Sequence, residues 1–399
     1  MAYDVARVRG MTPAIGDGWA HLDASTGAQS PEQVALTMST AVRAPVSAPG
    51  GAFPASQRAE VIEDAARQAV ADLVGADPRG VVLGPSREEL LTRLAESVAQ
   101  TWEMGEAVVL SRLDDVANVA PWERAARERG VEVRWAEIEI ETCALPEVQY
   151  DALLDASVQL VAVTAGSEHV GVRPKVPAIA ERAHRTGALV VVDGWAAAAG
   201  GPLRIEELGA DVLVIGSAAW GGPQCGALVF ANPELLDQLP SCSLNPNAVG
   251  PERLEVGPHC YPLLAGLVAS VDYLASLDDT AQGDRPARLA TSMRTVWEYQ
   301  AELMDELLRE LSFIPTVTVV GDPAGGLPSL AFTHDARKAS DVVAQLADRG
   351  LCAVADLGQH GVLEYLGSAE VGGVVRVGLA HYTTRSEIDQ LVRALSEMV

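Results

Sequence analysis

Residues 187–223 read GALVVVDGWAAAAGGPLRIEELGADVLVIGSAAWGGP. Two short runs in it, Ala188–Asp193 and Asp211–Gly216, are apolar at every interior position. A strand with one face in water alternates apolar and polar residues. A strand that is apolar throughout is buried on both faces, as in a parallel sheet sandwiched between helices. Similar runs lie at Gly80–Gly84, Ala107–Ser111, Gln159–Thr164 and Ala227–Ala231, and the more polar Val131–Ile138 reads as another strand. Helical periodicity fills the gaps at Gln57–Gly75, Ser86–Trp102 and Ala117–Arg129, with Gly and Pro marking turns. The pattern predicts an α/β large domain over residues 21–280, its mostly parallel sheet covered by helices on both faces.

Long helices at Cys260–Leu277 and Arg288–Leu311 form the predicted bridge to a second unit. Strands Thr316–Val320, Ser329–Thr333 and Val374–Leu379, with helices Ser340–Arg349 and Arg385–Val399, predict a smaller α+β C-terminal domain over 281–399. Residues 1–20 are assigned to pack with it. The stretch Ser241–Gly250 (SCSLNPNAVG) reads as a loop, rich in residues that favour turns.

The net charge of −25 speaks against nucleic acid or anionic lipid as a partner, because a field of that sign repels both. No apolar run is long enough to span a bilayer, and Met1–Ala20 lacks the apolar core of a secretory signal. Five dispersed cysteines (Cys143, Cys225, Cys242, Cys260, Cys352) have no metal-ligand spacing and suit reduced thiols in a cytoplasm. His169, His259, His360 and His381 are likewise not spaced as ligands, so no metal is expected. Of 29 basic residues only Lys175 and Lys338 are lysines.

Several segments, in order, resemble the class V aminotransferases and cysteine desulfurases. They are LDAST (22–26), GADPRGVVLGPSREEL (75–90), GEAVVLSRLDDVANVAPWERAARERG (105–130) and LVAVTAGSEHVGV (160–172). GALVVVDGWAAA (187–198), LGADVLVIGSAAWGGP (208–223) and VRVGLAHYTTRSEIDQLV (375–392) complete the series. The likeness implies a fold type I pyridoxal-phosphate transferase, a homodimer with sites at its interface, and a lysine that captures the cofactor as an imine.

That lysine is what the likeness does not deliver. Anchored on Gly222–Pro223, its position holds Ala219, the preceding histidine position holds Ala218, and no lysine lies between 176 and 337. The family's stacking histidines become Asp115-Val116, its serine-following asparagine Glu168, its phenolic-oxygen glutamine Ala196 and its phosphate-binding threonine Pro258. The desulfurase cysteine has no counterpart in Ala353–Gly361, and Cys352 is expected at the start of that strand. No catalytic residue is therefore assigned.

A vestigial cofactor pocket would retain Asp193, the family's partner of the pyridinium nitrogen, with Ser86 and Arg87 opening a helix at the phosphate cradle. Ser217 belongs to the same pocket, along with Asp115, Glu168, Ala196, Trp195 and Trp220. The two tryptophans are expected to fill part of the volume left by a missing ring. Arg376 matches the arginine that grips a substrate carboxylate. Its alternative is an internal ion pair with Glu168, Asp115 or Asp193.

Three functions compete. One is a pseudoenzyme that binds a small anion or carboxylate, or a partner, without covalent cofactor. A second is a different enzyme using Asp114, Asp115, Glu168 and Asp193 as acid and base. The third is the family's chemistry with a lysine from another chain. The sequence leaves open whether the protein is an enzyme.

Overall fold

The computed structural model describes residues 3–398; Met1 and Ala2 of the 1–20 segment, and Val399 of the 281–399 unit and its last helix, lie outside them. The first strand, β1 (Ala20–His21), is short and stands apart from the main sheet. Seven strands then make the large sheet: β2 (Val81–Gly84), β3 (Ala107–Ser111), β4 (Glu132–Ala136), β5 (Val158–Thr164), β6 (Leu189–Asp193), β7 (Val212–Gly216) and β8 (Gly226–Phe230). Their order is β2-β8-β7-β6-β5-β3-β4, and only β8 runs against its neighbours.

Burial explains the uniformly apolar strands. Along β6, Val190 and Val192 pack into one core and Val191 into another on the opposite face. The first core takes the helices Pro54–Val74, Val176–Thr186 and Tyr261–Leu274, and the second takes Arg87–Val98 and Val116–Arg129. Neither face meets water, so alternation has no role.

Small-domain strands are β9 (Val317–Val319), β10 (Ser329–His334), β11 (Leu351–Cys352), β12 (Val354–Asp356) and β13 (Val374–Gly378). Four of them form an antiparallel sheet in the order β12-β13-β10-β9, while β11 pairs in parallel with β1. Arg7 donates to the carbonyls of Ser276 (2.9 Å) and Leu277 (2.5 Å), and Arg9 to Glu387 (2.9 Å), so the N-terminal helix Val5–Gly10 bridges both units.

Element ends differ from the sequence reading where caps decide them. The first long helix begins at Pro54 rather than Gln57, with proline in its first turn. Ser86 is the cap rather than the first residue of its helix, which gives way to a 3-10 turn at Ala99–Thr101. Cys352 ends β11 instead of opening a strand. The helix Glu32–Arg43 has no counterpart in the sequence reading.

Candidate functional site

The sheet order turns back between β3 and β5, and a crevice opens beyond the C-terminal ends of the strands on either side of such a reversal. Those strand ends deliver Asp114 and Asp115 after β3, Glu168 and His169 after β5, and Asp193 at the end of β6. Arg87, Asp115, Glu168, Asp193 and Trp195 among the sequence-predicted residues do meet there, but as partners of one another.

Arg87 occupies the centre. It is the first residue of its helix, whose cap Ser86 accepts from the N–H of Glu89 (3.3 Å). Arg87 is 6% exposed and Asp193 2%. Arg87 Nη1 donates to Asp193 Oδ2 at 2.9 Å and Nη2 to Asp115 Oδ1 at 3.0 Å. Glu168 stands 3.8 Å from Nη2, and Glu88 takes Nε at 3.3 Å. The guanidinium also lies over the indole of Trp195, 4.9 Å from the ring centroid, a cation–π contact with little water to weaken it. The other oxygen of Asp193 accepts the N–H of Trp195 at 3.0 Å.

A second half of the network comes from the small domain. Asp115 caps the helix Val116–Arg129 through the N–H of Ala117 (2.9 Å), and its Oδ2 meets His169 Nε2 at 3.1 Å. His169 Nδ1 faces Asp356 at 3.5 Å, and Arg376 donates to Asp356 at 3.1 Å. The strand register explains that pair. Arg376 sits opposite Val354 on β12, so Asp356, two residues on, shares its face of the sheet. The expected carboxylate partner of Arg376 was Glu168, Asp115 or Asp193; it is instead Asp356, a residue absent from the sequence reading.

The electrostatics follow from burial and contact. Burial raises Asp193, and neighbouring carboxylates add to it, while Arg87 pulls the other way; the carboxyl settles at about 7. Burial would raise Asp115 too, but His169 and Arg87 hold it well below the usual carboxylate range. Hydrogen bonding from His169 does the same for Asp356, aided by Arg376. For His169, burial opposes the charged form, yet Asp115 and Asp356 outweigh it and raise the imidazole to about 9. Three cations therefore face five carboxylates, one of them raised to about 7.

Several other expectations are corrected. Ser217 is not aimed at a ligand: its hydroxyl donates to the carbonyl of Pro223 and its N–H to that of Cys225 (2.9 Å), closing a turn. Trp220 is fully buried core, with Nε1 bonded to Ser270 (3.0 Å), and only Trp195 enters the pocket. The indole of Trp195 also rests on Gly216, where an added Cβ would meet it at 2.7 Å. Ser86 lies against Gly226, whose Cβ, if present, would come within 2.5 Å of the Ser86 carbonyl carbon. Arg87 turns inward, not toward an anion at the helix start. Asp114 is kept apart, bonded to Ser111 and to Asn118 (2.6 Å), raised to about 7 by burial, and borders a separate cleft of about 400 Å³ with Trp135 and Tyr365.

The space that remains is small. A cavity of about 30 Å³ is lined by Ser25, Glu168, Trp195, Ala196, Ala219 and Ser329. That is room for one or two waters, about a tenth of the smallest ordinary ligand pocket. Lys175 and Lys338 both precede helices, and Lys175 Nζ pairs with Glu147 at 3.1 Å on the surface.

A seven-stranded sheet of this order, joined to a small antiparallel unit and with its site at the strand ends, defines a fold type I transferase architecture. The profile of the family described as aminotransferase class-V matches residues 20–391, and the chain belongs to that family. An uncharacterized protein of Mycobacterium tuberculosis is 48% identical over 398 residues, covering 100% of both chains. A cysteine desulfurase of Pectobacterium atrosepticum is 27% identical, over 100% of this chain and 98% of its own. Among solved structures, the apo cysteine desulfurase of Thermococcus onnurineus NA1 superposes with a TM-score of 0.88 at 22% identity, covering 100% and 98% of the two chains. The Escherichia coli desulfurase CsdA gives 0.85 at 23%, with the same coverage.

Proposed function

We propose that this family member does not carry pyridoxal-phosphate chemistry and works as a non-catalytic scaffold, its pocket closed by an internal salt network. The observation that carries the reading is the Arg87 guanidinium seated on Asp193 over Trp195. That cation meets the carboxylate expected to face a pyridinium nitrogen. The pocket does not fit the cofactor: about 30 Å³ remains, and the wall where the family resemblance places a lysine ends in the methyl of Ala219. An aldehyde forms no imine with a methyl group, and none of the arginines can substitute.

A small anion finds little purchase in the same place, because Arg87 and Arg376 are both committed to carboxylates. The protein then acts through its surface, as a homodimer or partner subunit in the cytoplasm. Exposed apolar side chains on two helices that both pack on Tyr261–Leu274, Leu36 and Val42 on Glu32–Arg43 and Val61 on Pro54–Val74, support self-association. The names of the 27%-identical relatives favour a second reading, desulfurase chemistry completed by a partner's lysine.

One experiment separates them. The purified chain is incubated with pyridoxal phosphate, reduced with borohydride, and weighed intact, and cysteine turnover is followed in parallel. No stoichiometric adduct and no sulfide above the free-cofactor background are expected. A single reduced adduct mapping to the pocket, or turnover by the chain alone, defeats the proposal. Turnover only after a second lysine-bearing chain is added establishes the alternative.

A further inference from the structure

Away from the pocket, the β1–β11 pair brings together three side chains of metal-binding type. The parallel register sets His21 directly beside Cys352. Asp23 follows two residues after His21, as the cap of the 3-10 turn Ala24–Thr26. One donor atom from each of His21, Asp23 and Cys352 lies within 4.8 Å of the other two. Around a tetrahedral zinc with bonds of about 2.0–2.3 Å, donors stand roughly 3.3–3.8 Å apart. Closing the triangle therefore takes side-chain shifts of about 1 Å, within rotamer adjustment and without moving either strand.

The electrostatics point the same way. Asp17 contacts His21 Nε2 at 3.2 Å, and among the described residues neither Asp17 nor Asp23 is paired with an arginine or lysine. The cluster thus holds uncompensated negative potential. It contrasts with the other group of suitable donors, Asp115, Glu168 and His169, where Arg87 already supplies the positive charge.

We propose that His21, Asp23 and Cys352 form a binding site for a zinc-class divalent cation, with water in the fourth position. A mixed nitrogen, oxygen and sulfur set suits a borderline ion rather than magnesium or calcium. As the metal–sulfur bond forms, the thiol proton leaves to solvent. The ion would staple two strands that are two residues long and marginal alone. It would also anchor the next residues, Ala24 and Ser25, which line the closed pocket. The site stands independently of the pocket's function.

The test uses the full chain without a histidine tag, stripped with chelator and titrated with zinc and cobalt. About one equivalent of zinc surviving desalting is expected, with a thiolate-to-cobalt charge-transfer band in the near ultraviolet. Cys352→Ser and His21→Ala should each weaken zinc binding about tenfold or more, taking ligand loss to be at least as costly as second-shell loss. Cys260→Ser, at an exposed thiol elsewhere, should leave zinc binding unchanged. Retention below about a tenth of an equivalent, or a cobalt band that persists in Cys352→Ser, overturns the site. If Cys352→Ser does not fold, the wild-type cobalt spectrum and Asp23→Asn decide: no charge-transfer band, or undiminished zinc in Asp23→Asn, refutes it.

Discussion

Replacing Arg87 with methionine keeps a long apolar stem over Trp195 and removes the charge that Asp193 depends on. Arg87 and Asp193 are both almost wholly buried, so the carboxylate loses its nearest cation with no water to take its place. Breaking a buried pair from one side costs about 3–5 kcal/mol. With an unfolding entropy of about 2.1 cal/mol/K per residue over 399 residues, that is a fall of roughly 4–6 °C in Tm for unfolding as one unit. The loss depends on pH. Asp193 already has its carboxyl raised from 3.8 to about 7, and losing Arg87 removes a contribution that lowers it. A raised carboxyl stabilises the fold fully only below the unfolded value, and that stability drains away as pH climbs through the folded one. The gap between wild type and Arg87→Met should therefore widen from pH 6 to pH 9. Circular dichroism melts and urea titrations read it. Adding Asp193→Asn removes the buried charge and should recover about 2 kcal/mol or more, a double-mutant coupling. A Tm change under about 1 °C, or singles that simply add, would show that Asp193 does not rely on Arg87.

The remaining predictions touch other parts of the network. His169 has a folded value raised to about 9, so its contribution is complete below its ordinary 6.5 and fades as pH rises through 9. His169→Asn should accordingly destabilise the protein at pH 6 and match wild type above about pH 10, and an NMR titration of the imidazole should show the raised midpoint. Trp195→Ala should cost about 3 kcal/mol, the low end for such a truncation because the ring is half-buried, and should enlarge the cavity seen by crystallography. Arg376→Gln should lower the His169 midpoint if freeing Asp356 loosens its contact, or raise it if the removed charge matters more; no movement at all would separate the two halves of the network.

What the sequence conveyed and what it hid follow from range of interaction. Two-faced burial of the strands is written into local composition, so β3, β5, β6 and β7 emerge within a residue or so of their limits. Asp193 and Arg87 are legible because one ends a strand and the other opens a helix, and Asp115 and Glu168 through the family resemblance. Their mutual pairing is not, since Arg87 and Asp193 are 106 residues apart and nothing local reports where a guanidinium turns. Asp356 escaped for another reason. Its strand is three residues long, and only the register with β13 reveals that it shares a face with Arg376. Trp195 and Trp220 look equivalent in sequence, and the fully buried Ser270 that satisfies Trp220 Nε1 comes from a helix fifty residues on.

The network also bears on how the crevice holds so many carboxylates. A crevice at a sheet reversal concentrates strand-end carboxylates, and such a cluster is unstable unless a cation neutralises it. Cofactor or substrate can do that from outside. Here the cations belong to the chain: Arg87 answers Asp193 and Asp115, while His169 and Arg376 answer Asp356. Because residues of the small domain complete the arrangement, the salt network ties the two units across the crevice. Placing a lysine at Ala219 alone would therefore add an amine to a cavity of about 30 Å³ already bordered by Trp195, and should give a destabilised protein that forms no imine. On the proposed reading, imine formation at position 219 would require Arg87 and Trp195 to be reduced in the same chain. Stoichiometric imine formation by Ala219→Lys alone, detected as a borohydride-fixed adduct, would contradict that coupling.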